Sequence, residues 1–271
     1  MVEKIAFIGA GSMAEAIIAG IVNEKFINNK DVWVTNKDNS ERLTELETNY
    51  GVTTSQNKSD ILTGADIVVL STKPYDVDIA IQSIKPYLTE KQLLISVIAG
   101  VSTDQIVKVS EQDLAVIRAM PNTSASIGYS ATAITQGQFA TEDDLLVAQQ
   151  LFTAIGTVNV VDEDDMHIVT GISGSGPAYI YYLVEAMEEA AVKEGLDPRT
   201  AKELITQTII GAGNMLATSK QPVHILRENV TSPNGTTAAG LKALADHHFS
   251  EAVIACVQSA TKRSKELGES K

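Results

Sequence analysis

Short apolar runs rich in β-branched residues recur through roughly the first 160 residues: "KIAFIG", "DVWVT", "ADIVVL", "QLLISV", "LAVIRAM", "ATAITQ" and finally "TVNVV". Amphipathic stretches separate most of them, and this alternation predicts a doubly wound, mostly parallel α/β sheet. After "TVNVV" the strand signals stop. From Asp197, a good N-cap followed by Pro198, the stripe positions recur at Ala201, Leu204, Ile205, Thr208, Ile209, Ala212, Met215 and Leu216. That spacing predicts a helix of about five turns with one buried stripe. An earlier helix is expected from Pro177 to about Glu194, and two more across Thr237 to Leu267. The chain thus divides into an α/β part, 1–161, and an all-α part, 162–271. Four helices with broad apolar faces bury more surface by pairing with another copy than by closing on themselves, so the second part is expected to dimerise.

The length of 271 residues suits two domains, and a hydrophobic content of 44% can build their cores. The apolar runs are strand-sized, well short of the roughly 20 residues of a membrane span, and "MVEKIAFIGAG" lacks the form of a signal peptide. One cysteine, Cys256, leaves no internal disulfide and fits a reducing compartment, so a cytoplasmic location is expected. A net charge of −13 without any Lys/Arg run argues against a nucleic-acid partner. Any anionic ligand must then be held by local geometry.

Such geometry is written into "KIAFIGAGSMAEAIIAG", which sets Gly9, Gly11 and Ala14 between the first strand and an amphipathic helix. In this G-x-G-x-x-A pattern the first glycine permits a tight turn, the second lets backbone approach a pyrophosphate, and the alanine allows close helix packing. With "DVWVT" following in order, the α/β part reads as a Rossmann dinucleotide-binding domain, Ser12 and Met13 opening the helix beneath the phosphates. The second strand ends in Asn36 and Lys37 where an NAD enzyme usually carries an acidic residue for the ribose hydroxyl, which favours NADPH while leaving NADH possible. Arg42 is a candidate second positive charge. Thr72, Lys73 and Pro74 in "STKPY", and Ala99 in "IAG", fall at carboxyl ends of strands, where such a sheet places ligands. Pro121, Asn122 and Thr123 in "RAMPNT" are candidates for the nicotinamide end.

No nucleophile with its base, carboxylate pair or metal constellation stands out. Asp162 to Asp165 read as a helix start favoured by the helix dipole, and no metal is expected. Hydride transfer needs none of these groups when the acceptor is already polarised. Attention moves to "SGSGPAY" and "TSPNGTT", small-residue loops expected to open helices and to offer backbone N–H groups and hydroxyls to a carboxylate.

The motifs "FIGAGSMAEAI", "STKPY", "RAMPNT", "SGSGPAY" and above all "ENVTSPNGTTAAGL" together resemble the pyrroline-5-carboxylate reductase family over nearly the whole chain. The resemblance implies a Rossmann domain, 1–161, joined to an α-helical dimerisation domain, 162–271, in a homodimer or ring of dimers. It also implies hydride transfer from NADPH or NADH to C5 of the cyclic imine (S)-1-pyrroline-5-carboxylate, giving L-proline, the last step of proline biosynthesis. Ser232, Gly235 and Thr236 would hold the substrate carboxylate, and Thr237, as the catalytic group, would hydrogen-bond the ring nitrogen. Asn234 stands where Gly is more common, and Lys37 where Arg is usual. A β-hydroxyacid dehydrogenase, the nearest rival, would need a catalytic lysine on the helix after Pro177, whose only lysine is Lys193 at its far end. A non-catalytic dinucleotide-binding sensor is the rival of a different class.

Overall fold

The computed structural model describes residues 2–269 and contains one eight-stranded sheet and twelve α-helices among them. The strands are β1 (Ile5–Ile8), β2 (Val32–Thr35), β3 (Thr53–Thr54), β4 (Ile67–Leu70), β5 (Leu93–Ser96), β6 (Ala115–Met120), β7 (Ser130–Gln136) and β8 (Gly156–Val160). They lie in the order β3-β2-β1-β4-β5-β6-β7-β8, parallel from β3 to β6; β7 is antiparallel to β6, and β8 parallel to β7. The helices of the α/β part are α1 (Ser12–Asn23), α2 (Ser40–Tyr50), α3 (Lys58–Leu62), α4 (Val77–Ile84), α5 (Thr103–Ser110) and α6 (Glu142–Thr153). Then come α7 (Met166–Val169), α8 (Gly176–Lys193), α9 (Pro198–Thr218), α10 (Val223–Asn229), α11 (Thr236–Asp246) and α12 (Phe249–Glu269).

Every residue of β1, β4 and β5 is buried, as parallel strands covered on both faces require. Alternation within β1 assigns the two faces: Ile5 and Phe7 join the cluster packed by Ile17, Ile21 and Phe152, while Ala6 and Ile8 join that of Ile61, Ile81 and Ile106. One charged side chain sits inside this core. Arg118 on β6 is fully buried; its Nη1 pairs with Glu163, whose other oxygen accepts from Thr103 Oγ1 at 3.3 Å. Nε and Nη2 of Arg118 have no hydrogen-bond partner. Such a pair contributes little net stability while intact, but removing one member costs about 3–5 kcal/mol.

Compactness divides the chain into two units, residues 1–177 with 258–271, and residues 178–257. The sheet ends at Val160, close to the boundary expected after Val161; residues 162–177 and the end of α12 group with the sheet unit. There α12 is anchored by Ser264 Oγ, 3.0 Å from His167 Nδ1, and by close approach to Gly100, where an added Cβ would lie 2.8 Å from Leu267 Cβ. Burial, with Arg118 and Lys265 nearby, lowers the His167 pKa.

The helical unit departs from expectation in one instructive way. Asp197 caps α9 as predicted, accepting from Thr200 N at 3.0 Å with Pro198 in the first turn. The single buried stripe does not form within the chain: only Ala201 and Ile205 are buried, whereas Leu204 is 57% and Met215 56% exposed. Helices α8, α10 and α11 bury no residue at all. Exposed apolar side chains such as Tyr182, Ile210, Leu216, Val253 and Ile254 therefore lie on a unit without a core of its own. Covering each would contribute roughly 1.5–3 kcal/mol, far more than an isolated 80-residue unit can forgo. Light scattering on the purified protein is therefore expected to give at least twice the 28.9 kDa chain mass. The double variant Leu204→Asp/Met215→Asp is expected to lower that mass and the helical signal together; a wild-type monomer would contradict this reading.

Candidate functional site

A helix that starts from extended chain exposes backbone N–H groups that need acceptors. This chain supplies them from its own side chains at α2 (Asn39), α3 (Asn57), α5 (Ser102), α6 (Thr141, a full capping box) and α9 (Asp197). Two helices begin instead on a glycine with no capping side chain: α1 at Gly11 and α11 at Gly235. These are two of the three loops that the sequence marks out for anions, "SGSGPAY" being the third. (Pro222 before α10 also lacks a cap.)

The first lies at the carboxyl ends of β1, β2 and β4, where the chain turns outward in both directions from β1. Gly9 takes φ 115°, donates to Thr35 O at 3.1 Å, and lies so near β4 that a Cβ would come within 2.7 Å of Ser71 O. Its requirement for glycine is internal. Gly11 differs, since a Cβ there would meet nothing within 4 Å. The open space in front of Gly11, Ser12 and Met13 belongs to a cleft of about 760 Å³ lined also by Asn36, Lys37, Thr72 and Lys73. Thr72 Oγ1 is buried without a hydrogen-bond partner. An uncapped helix start, room beside a glycine and an orphan hydroxyl fit a dinucleotide whose pyrophosphate accepts what the protein leaves unsatisfied.

Two cofactor candidates are placed differently. Pro74 begins a short 3-10 turn behind Lys73, and Ala99 packs beside Met120 and Met166; neither lines the cleft among the described residues. On the β2 side, Asn36 Oδ1 accepts from the backbone of Asp38 and Asn39 at 3.2 and 3.1 Å, shaping the turn. Arg42 does not serve as the second positive charge expected of it. Its Nε donates to Ala10 O at 3.0 Å, Nη2 pairs with Glu15, and Nη1 pairs with Glu45 at 2.9 Å. Hydrogen bonding to Glu15, then Glu45, raises its pKa. The fork thus ties α2 to the glycine loop. Lys58 at the start of α3 lines the cleft beside Lys37 and was missed, because β3, the strand that delivers it, is only two residues long.

The second uncapped start is the loop before α11. Asn234 adopts φ 58°, so the left-handed conformation that glycine would serve is taken by asparagine, among the least penalised substitutes. Gly235 N donates to Ser232 O at 3.0 Å, and a Cβ on Gly235 would collide with Ser232 Oγ. Gly235 therefore contributes conformation rather than a donor. The N–H groups that open α11 belong to Thr236, Thr237 and Ala238, with the hydroxyls of Ser232, Thr236 and Thr237 in the same loop.

The other small-residue loop is not a helix start. "SGSGPAY" lies inside an almost continuous helical run from α7 to α8, joined by a π-helical turn, Thr170–Gly174, and one bend residue, Ser175. Ser175 N already donates to Thr170 O at 2.9 Å, so this loop does not offer the open helix start expected of it. Asn122 is likewise engaged within the protein: Oδ1 accepts from Ser124 N, and Nδ2 donates to Ser173 O, both at 3.1 Å. Glu163–Asp165 form a 3-10 turn before α7, preceded by extended Asp162, with Glu163 held by Arg118. Lys193 pairs with Glu189 on exposed surface. His247 and His248 do not share a helix; they form the break between α11 and α12, His248 at φ 55°.

Because Arg42 is held by two carboxylates, Arg42→Ala should lower stability by roughly 1–2 kcal/mol, yet leave the ratio of NADPH to NADH affinity within twofold of wild type. Thermal melts and cofactor titrations check both, and a collapse of the ratio would return Arg42 to the phosphate site.

Comparison with known proteins agrees with this geometry. Residues 163–267 match the family model described as pyrroline-5-carboxylate reductase dimerisation, and residues 4–100 match that described as NADP oxidoreductase coenzyme F420-dependent. Pyrroline-5-carboxylate reductase 2 of Bacillus subtilis is 46% identical over 98% of this chain and 96% of its own. The pyrroline-5-carboxylate reductase of Staphylococcus saprophyticus is 39% identical over 97% of both. Among solved structures, Plasmodium falciparum pyrroline carboxylate reductase with NADP bound superposes with a TM-score of 0.90 at 30% identity, covering 98% of each chain. The Coxiella burnetii enzyme gives 0.89 at 36%, covering 98% of this chain and 99% of its own. The chain belongs to the pyrroline-5-carboxylate reductase family.

Proposed function

We propose that this protein reduces (S)-1-pyrroline-5-carboxylate to L-proline with NADPH, NADH serving as the alternative donor, as the last step of proline biosynthesis. The observation that carries the reading is the glycine-started helix α11, whose loop gathers the hydroxyls of Ser232, Thr236 and Thr237 beside N–H groups that no side chain caps. A small carboxylate suits such a loop.

Each residue's part follows from its chemistry. Gly11, with Ser12 and Met13, receives the cofactor phosphates in a turn that Gly9 permits; Asn36 and Lys37 face the adenosine ribose; Thr72 and Lys73 complete the cleft, with Pro74 turning the chain behind Lys73. The bound reduced nicotinamide supplies the hydride. Ser232 and the Thr236 and Thr237 amides hold the substrate carboxylate, in a loop whose path Asn234 and Gly235 permit. Thr237 Oγ1 holds the ring nitrogen, and a neutral hydroxyl suffices because protonation of the imine already makes C5 electrophilic. No strong general acid is required of the chain. The domain division 1–161 and 162–271 belongs to the same proposal. So does assembly through the exposed helices into dimers, and of dimers into a ring, and work in the cytoplasm, where exposed Cys256 would stay reduced.

Purified protein is expected to consume NADPH, followed by nicotinamide absorbance, only when pyrroline-5-carboxylate is present; binding of NADPH without turnover would favour a sensor. Thr237→Ala should lower kcat/KM by roughly ten- to a hundredfold, the value of one hydrogen bond to a charged group, with NADPH affinity near wild type. An unchanged kcat/KM removes Thr237 from the reaction. Lys37→Ala should weaken NADPH more than NADH, and equal losses would refute a 2'-phosphate contact.

A further inference from the structure

We propose that Lys58 is a specificity-determining residue of the cofactor cleft: with Lys37 it receives the 2'-phosphate that distinguishes NADPH from NADH. The inference rests on the dinucleotide reading of that cleft and not on the identity of the hydride acceptor. Topology brings the two lysines together. Strands β2 and β3 are parallel neighbours with Val34 opposite Thr54, and Ser55 N donates to Val34 O at 3.2 Å, so both segments leave the sheet at the same edge. Lys37 follows the end of β2, Lys58 follows the end of β3, and both line the cleft. The other lining lysine, Lys73, follows β4 on the far side of β1. A dinucleotide that straddles β1 sets its adenosine 2' position at the end of β2, beside β3 and across the glycine loop from Lys73.

The charge to be met exceeds what one lysine supplies. A phosphate monoester carries about two negative charges at neutral pH, and Asp38, next to Lys37, lines the same cleft. Arg42 is held by Glu15 and Glu45, whereas neither Lys37 nor Lys58 forms an ion pair among the described residues. An arginine offers two parallel donors from one side chain; two lysines on neighbouring strands offer two point charges instead. The backbone that carries Lys58 is also fixed in advance. Asn57 Oδ1 accepts from Ser59 N at 3.1 Å, Asn57 N donates to Ser55 Oγ at 3.0 Å, and Ile61 and Leu62 of α3 are fully buried. Lys4 Nζ holds the other end of that segment, donating to Asp60 O at 2.6 Å and Thr63 O at 2.8 Å. Lys58 is half-buried where Lys37 is exposed, so ordering it against a phosphate costs less freedom.

Calorimetric titration with adenosine 2',5'-bisphosphate and with 5'-AMP isolates the 2'-phosphate from the nicotinamide and from any reaction. Wild type is expected to bind the bisphosphate about tenfold or more tightly than 5'-AMP. Lys58→Gln and Lys58→Ala each remove the charge, and each is expected to weaken the bisphosphate roughly tenfold while 5'-AMP stays within about twofold of wild type. Lys58→Arg keeps the charge and should hold the bisphosphate within about threefold. Lys37→Gln/Lys58→Gln should erase the preference between the two probes, and raising the ionic strength should weaken the bisphosphate less in Lys58→Gln than in wild type. Unchanged bisphosphate affinity in the charge-free variants overturns the proposal. So does a loss shared equally by 5'-AMP in a variant that melts like wild type, or a wild type that binds both probes equally. Discrimination that depends on Lys58 in a wild type without imine turnover upholds this proposal and overturns only the imine-reductase reading.

Discussion

The unpaired N–H groups at helix starts are the constraint on which this molecule depends. Each costs free energy if buried without an acceptor, and the chain answers with Asn39, Asn57, Ser102, Thr141 and Asp197 at five of its helices. At α1 and α11 it places a glycine instead. The omission leaves two sets of oriented donors, to which the proposed function assigns a dinucleotide phosphate at α1 and a small carboxylate at α11. In a chain of net charge −13, oriented N–H groups favour an anion locally, and at the dinucleotide cleft Lys37, Lys58 and Lys73 add cations to them.

A second constraint acts on the helical unit. Its helices have apolar faces without a common interior, and Ala201 and Ile205 are the buried residues among 178–257. The match of residues 163–267 to a dimerisation family accounts for the same surface, since an apolar stripe that finds no partner in its own chain must find one in another. Assembly with another copy would give these faces the cover they lack within the chain.

Much of this was legible in the sequence. The seven longer strands and the Asp197–Pro198 start of α9 follow from periodicity and capping chemistry, which act over a few residues. The two-residue strand β3 carries too little pattern to be seen, and with it Lys58 was lost. Arg42 looked like a phosphate ligand because its partner Glu15 lies 27 residues away in sequence. "SGSG" looked like a helix start because glycine and serine usually interrupt helices; the bond from Asn122, 51 residues earlier, that holds the turn within a helical run has no local trace. Asn234, which the sequence marks only as standing where Gly is more common, takes the left-handed conformation at φ 58°.

Hydrogen exchange followed by mass spectrometry, with NADP and L-proline added separately, tests the two-anion-site account most directly. The account predicts that NADP protects the amides of residues 12–14, that L-proline protects those of 236–238, and that the side-chain-capped starts of α2, α5 and α9 do not change. Protection by L-proline that bypasses 236–238, or none at 12–14 with NADP, would contradict it.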